Sequence, residues 1–377
     1  LDGWRRGDLG QVAPRRCGLN SNARTGLVLS GGGARAAYEV GVLKAIYSGR
    51  CPAAPPGTVP EVFCGTGAGA FNASVIASRL PGQFPAPVDY LQSLWADEIP
   101  QEGKMRHSRV YRRRLDFLQF LDIPYMWRRP LKPFVQFFGD LAWLAPQVAG
   151  RTAKAFAKGS FSGWLDLAMW NDLSPMERLI SESVSLGVIR DGEQAKPLRL
   201  LRVVATEKDS GKAQVFTNKH FNEEVGYRLI LASCALPIMF PPVEINGKEF
   251  LYGGLVMQTP LQPAVDAGCR VIHMVQNEPR TEARPPGEDA SSLEASNRSL
   301  AITLSAILER DLEDRRRHNF SAKDPSGRII VHQHRPKKVL GGKTGLLDFS
   351  RENIEAAIAA GEQDALRHDC AQEDCIL

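Results

Sequence analysis

The 377-residue chain contains no uncharged apolar run of the roughly 18 residues that a membrane-spanning helix needs. Its first residues, LDGWRRGDLGQVAPRRCGLN, have no apolar core of the kind a secretory signal carries. Cysteine pairing signals are missing too. The seven cysteines (17, 51, 64, 234, 269, 370 and 375) are scattered, odd in number and without a CxxC spacing. That argues against a disulfide framework or a zinc site, and for reduced thiols in a cytoplasmic compartment. The excess of one sign of charge is also small. A formal net charge of +5 does not by itself imply nucleic acid. No internal repeat is evident. What is present, 43% hydrophobic and 24% charged residues, describes an ordinary globular protein with a sizeable core.

Residues 1–24 read as a flexible polar leader. TGLVLS (25–30) is a short apolar strand running into three glycines. ARAAYEVGVLKAIYSG (34–49) follows with apolar residues at helical spacing through Val40, Leu43 and Ile46. A loop rich in proline and glycine leads to a second strand, EVFC, then to GTGAGA, then to the helix-compatible AFNASVIASRL. Strand, glycine loop and helix thus occur twice in succession, which predicts an α/β fold with a mainly parallel central sheet covered by helices on both faces. Further strands are expected at PLRLLRVVATEK, KAQVFTNK, CRVIHMVQ and GRIIVHQHRP, with a hairpin around NGK. Residues 277–298 read as a polar, proline-punctuated loop. Ser350 is placed to cap the closing helix SRENIEAAIAAGEQDALRH.

One stretch differs from its surroundings. Residues 104–158 hold twelve Lys or Arg against three Asp, a net +9 that leaves the rest of the chain at −4, and they carry ten aromatics. Clustered arginine with Trp, Tyr and Phe suits an anionic lipid surface. An ordinary helical cap with inward aromatics and solvated arginines fits equally well. A nucleic-acid partner is not expected, because no recognised binding module accompanies the charge.

GTGAGA admits more than one reading. Gly65-x-Gly67-x-x-Ala70 after a strand fits a dinucleotide-binding turn, which needs an acidic residue about 20 positions on, at the end of the next strand. Asp89 has nearly that spacing, but FPAPVDY does not look like a strand end. A tight strand-to-helix turn describes the same geometry with no function attached.

The stretch LVLSGGGARAAYEVGVLKA resembles the oxyanion-hole segment of the patatin-like phospholipases, serine lipid acyl hydrolases in which a strand runs into Gly-Gly-Gly-x-Arg. The resemblance implies oxyanion-hole roles for Gly31, Gly32 and Gly33, with Arg35 beside them and Ala36 where glycine is frequent. Backbone amides on consecutive glycines, next to a helix N-terminus, suit a developing oxyanion. GTGAGAFNA is similar to the family's GTSAGA.NA elbow, matching at Gly65, Thr66, Ala68, Gly69, Ala70, Asn72 and Ala73, with Gly67 at the nucleophile position. LASCALPIMFPPVEINGKEFLYGGLVMQTPL looks like the segment that ends on the family's Asp-Gly-Gly, with Tyr252 at the aspartate position. The likeness spans roughly residues 25–368, read as one domain with the basic aromatic segment as a helical insertion and 369–377 as a tail.

Both members of the Ser–Asp dyad that the resemblance implies are therefore absent. Glycine has no attacking group, and a phenol with a reference pKa near 10 is a poor substitute for a carboxylate base. The expectation is a catalytically inactive lipid acyl hydrolase domain with a possible lipid-binding surface. An active hydrolase with another nucleophile, drawn from Thr66, Ser30 or Ser233, is an alternative, and a nucleotide-binding α/β protein is a further one. His332 and His334 on IIVHQH could share a strand face as metal ligands, but no Asp, Glu or Cys stands beside them in sequence. No metal and no cofactor is expected.

Overall fold

A computed structural model describes residues 24–80, 82–100, 109–114, 127, 131–158, 171–237, 239–280, 292–321, 327–341 and 345–377. Most of the expected leader, residues 104–108 and 115–126 of the basic segment, and 281–291 of the polar loop lie outside the described residues.

The described residues form ten strands: β1 (Arg24–Leu29), β2 (Val62–Thr66), β3 (Arg112–Arg113), β4 (Asn171–Asp172), β5 (Leu200–Glu207), β6 (Ala213–Thr217), β7 (Val243–Ile245), β8 (Lys248–Tyr252), β9 (Cys269–Val275) and β10 (Ile330–His334). The main sheet runs β10-β9-β1-β2-β5-β8-β7, with β6 also on β5, while β3 and β4 form a separate small ladder. The pairs from β10 to β5 are parallel. β6, β7 and β8 are antiparallel additions.

Side-chain alternation assigns the two faces of the sheet. Leu27, Leu29, Phe63, Leu201, Val203 and Ala205 pack on one face with α1 (Ala37–Tyr47), α2 (Ala68–Ala77) and the closing helix Arg351–Leu366. Val28, Val62, Cys64, Ile272, Met274 and Val331 pack on the other, under helices Leu261–Asp266 and Ser292–Ser321. Helices therefore cover both faces of a mostly parallel sheet, as the strand–loop–helix repetition predicts. Ser350 does sit at the N-cap of the closing helix, but its side chain makes no capping bond, and the turn closes through Ile354 N–H to Ser350 O at 3.0 Å. Among the described residues no helix is long and apolar enough to cross a membrane.

The register around β5 positions the site. β2 pairs with Leu200–Val204, and β8 pairs with Ala205–Glu207. β6 holds the opposite edge over Arg202–Thr206, so β2 and β8 lie end to end along one edge of β5. Thr66 faces Val204 and Tyr252 faces Ala205, which makes them neighbours across the point where the chain leaves the sheet at Gly67.

Candidate functional site

The three loops singled out by sequence meet at the C-terminal ends of β1 and β2, where ligands commonly bind in open α/β sheets. Gly67 has φ 58° and ψ −128°, the strained strand-to-helix elbow that places a nucleophile above a sheet. The fold keeps this turn although no side chain is left to present. Gly65 and Gly69 are required for a different reason. A Cβ at Gly65 would lie 2.6 Å from Ala70 Cα, and one at Gly69 would lie 2.5 Å from Leu29 O. α2 thus rests directly on β1 and β2.

Tyr252 fills the place that the elbow addresses. A Cβ built at Gly67 would lie 2.6 Å from Tyr252 Cε2, and one at Gly31 would collide with the Tyr252 hydroxyl. The phenol donates to Gln258 Oε1 at 2.5 Å, while Gln258 Nε2 donates to Gly31 O at 2.7 Å. Burial pushes the phenol's pKa well up, so at neutral pH it stays a hydrogen-bond donor. It offers no base.

Of the three glycines after β1, Gly31 donates its amide to Gln258 O at 3.2 Å. The Gly31 amide is thus already engaged within the protein. Arg35 closes the turn through its amide to Gly32 O at 3.1 Å, and its guanidinium pairs with Glu278 just beyond β9. The residue thus braces the loop from beneath.

The hydroxyls weighed as replacement nucleophiles are all engaged. Thr66 Oγ1 donates to Met257 O at 2.9 Å, and Ser30 Oγ bonds Thr259 Oγ1 at 2.7 Å. Ser233 Oγ accepts from Gly67 N–H at 2.9 Å and donates to Val204 O at 2.6 Å, tying the elbow to β5. All three side chains are buried. Asp89 is exposed in the first turn of helix Pro87–Ser93, not at a strand end, so the acid that a dinucleotide ribose requires is not supplied there.

Sequence reasoning missed the polar network beneath these loops. Glu39 of α1 is fully buried and accepts from Asn72 Nδ2 and Asn277 Nδ2, each at 2.7 Å. Trp95 Nε1 donates to Asn72 Oδ1 at 2.7 Å, and Asn277 Nδ2 also reaches Ser30 O at 2.9 Å. Burial raises the Glu39 pKa to about 8 against the lowering effect of its two asparagine donors. The network clamps the glycine loop to α2. A signal for it was present: Glu39 shares a helical face with Leu43 and Ile46, an odd place for an unpaired carboxylate.

In the basic segment, Arg112 forms a two-point pair with the buried Asp140, at 2.7 and 2.6 Å, and also reaches Asp172 at 3.1 Å. The Arg114 guanidinium lies 3.8 Å over the Trp143 ring. Helix Lys132–Lys158 buries Asp140 and Leu144 on one face. Leu131 just before it and Val135 and Phe138 within it are exposed on the opposite side, while Leu141 and Val148 are exposed on its flank. Sequence proximity also misled the reading of the strand histidines, because Cys370 Sγ lies 3.4 Å from His332 Nδ1.

No curated protein matches this chain. Among solved structures it is similar to VipD from Legionella pneumophila, with 15% identity, a TM-score of 0.40, and coverage of 92% of this chain and 66% of that one. The sequence model of the patatin-like phospholipases matches residues 27–265, which include the glycine loop, the elbow and Tyr252. The chain belongs to the patatin-like phospholipase family.

Proposed function

We propose that this chain is a catalytically disabled patatin-like domain that acts by binding lipid surfaces, not by cleaving them. The observation that carries the reading is the fit of Tyr252 against Gly67: the ring lies 2.6 Å from where a nucleophile's Cβ would be. Acyl transfer by this route needs a hydroxyl and a base within hydrogen-bond reach of each other. Neither is available, and the nearby hydroxyls are committed to backbone carbonyls or to one another. Loss of the nucleophile in a comparable hydrolase lowers turnover by on the order of 10⁶.

Membrane contact is supported by the exposed Leu131, Val135 and Phe138 on one side of a helix set in a basic, aromatic stretch. Its partner would be an anionic lipid surface, met as a peripheral protein. No nucleic-acid partner and no cofactor enters the reading.

The test compares ester hydrolysis by the unmodified chain and by Gly67→Ser/Tyr252→Asp, on a short-chain nitrophenyl ester and on anionic phospholipid vesicles. Turnover by the double variant alone supports a hydrolase scaffold stripped of its dyad. Comparable turnover by the unmodified chain would overturn the reading.

A further inference from the structure

Far from the glycine loops in sequence, four side chains converge on the outer edge of the sheet. β10 contributes His332. Beyond the closing helix, a compact turn contributes His368, Cys370 and Cys375 before Ile376 makes an antiparallel bridge to Val331. The four ligand atoms lie within 4.8 Å of one another. We propose that His332, His368, Cys370 and Cys375 bind a divalent metal ion of zinc type, fastening the last residues of the chain to the edge strand β10.

The distances suit a shared central ion. Cys370 Sγ is 3.4 Å from His332 Nδ1 and 3.5 Å from His368 Nε2, and Cys375 Sγ is 3.4 Å from that same His368 Nε2. A tetrahedron with zinc–sulfur bonds of about 2.3 Å and zinc–nitrogen bonds of about 2.0 Å has sulfur–nitrogen edges of roughly 3.5 Å. One ring nitrogen cannot serve two sulfurs well through a single hydrogen or a single lone pair. An ion between them satisfies both contacts. Two thiolates would balance the charge of a divalent cation, and two cysteines with two histidines are a closed ligand set of the structural kind.

Supporting contacts fit the same role. The backbone amide of Gln333 donates to Cys375 Sγ at 3.3 Å, a bond that stabilises a thiolate ligand. Metal binding forms two sulfur and two nitrogen bonds and releases the two thiol protons to solvent. Behind the ligands, His273 stacks on His332 with centroids 5.1 Å apart, and His334 lies 4.5 Å from the His368 ring. Cys375 also lines a surface cleft with Gln276, Glu278 and Arg335, which supplies an entry path.

The test loads the purified full chain with zinc chloride under reducing conditions, removes free metal and counts bound metal by mass spectrometry. One zinc per chain is expected, falling to near zero in Cys370→Ser/Cys375→Ser and unchanged in Cys51→Ala. Chelation should lower the melting temperature by roughly 5 °C or more. Because the double variant could fail to fold, cobalt is also titrated into the unmodified chain. Ligand-field bands of a tetrahedral, thiolate-bound ion are expected. A chain that retains no zinc and gives only the spectrum of hydrated cobalt overturns the proposal, as does zinc retained undiminished by a folded double variant.

Discussion

Tyr252 and Gly67 occupy complementary space: the ring edge of one stands 2.6 Å from the Cβ position the other lacks. They are 185 positions apart in sequence and meet because β2 and β8 lie end to end along β5. A side chain at position 67 cannot be added without displacing the Tyr252 ring. A serine at position 67 must accept positive φ and displace the ring, each costing about 1–3 kcal/mol. Gly67→Ser alone should therefore lose roughly 2–4 kcal/mol in urea unfolding and gain no ester hydrolysis. Adding Tyr252→Asp should return about 1–2 kcal/mol relative to the sum of the single changes. Strictly additive single and double variants would show that the two side-chain positions do not compete.

Ser233 separates structure from chemistry. Its hydroxyl bridges the Gly67 amide and the Val204 carbonyl in the core. Ser233→Ala leaves that buried amide unpaired, so unfolding should become easier by about 1–3 kcal/mol. Labelling by a fluorophosphonate probe should be at background in both proteins. Labelling that disappears on substitution would instead identify Ser233 as an active nucleophile.

The architecture was legible in sequence because it rests on local signals. Glycine after a strand marks a close approach, and alternating apolar residues mark strands buried on both faces, as Leu27, Val28 and Leu29 illustrate. The candidate site was half legible. Gly31, Gly65, Gly67 and Gly69 lie in short contiguous motifs, and the structure brings their loops together. Gln258 meets Gly31 across 227 positions, Asn277 meets Glu39 across 238 and Glu39 meets Asn72 across 33, which no local pattern encodes. The convergence of His332 with Cys370 was hidden for the same physical reason: sheet order, not sequence order, made them neighbours.

For the helix Lys132–Lys158, the exposed stripe and the paired arginines should respond differently to substitution. Leu131, Val135 and Phe138 are 75%, 71% and 64% exposed, so changing all three to serine should leave stability nearly unaltered. Lost apolar contact should weaken cosedimentation with anionic vesicles by roughly 10- to 100-fold. Asp140→Ala, in contrast, leaves Arg112 without its two-point partner and should destabilise the fold by about 3 kcal/mol. Unchanged vesicle binding by the triple variant would move the membrane contact elsewhere.

Glu39 should give the fold a pH dependence of its own. Its carboxyl titrates near 4.5 in an unfolded chain and near 8 when buried. Between those values the folded protein keeps a proton that the unfolded chain releases, so stability falls as pH rises across this interval. The stabilising contribution is complete below about 4.5 and is lost as the pH passes through about 8. A shift of this size corresponds to a decline on the order of 3–5 kcal/mol, shared with whatever other groups titrate there. Glu39→Gln stays neutral and retains one acceptor for Asn72 or Asn277, so its urea midpoint should vary less between pH 5 and pH 8. The two proteins should nearly coincide at pH 5 and diverge with the variant more stable at pH 8. Parallel midpoint profiles would show that Glu39 is already ionised in the folded chain, with Asn72 and Asn277 sufficient to hold its charge.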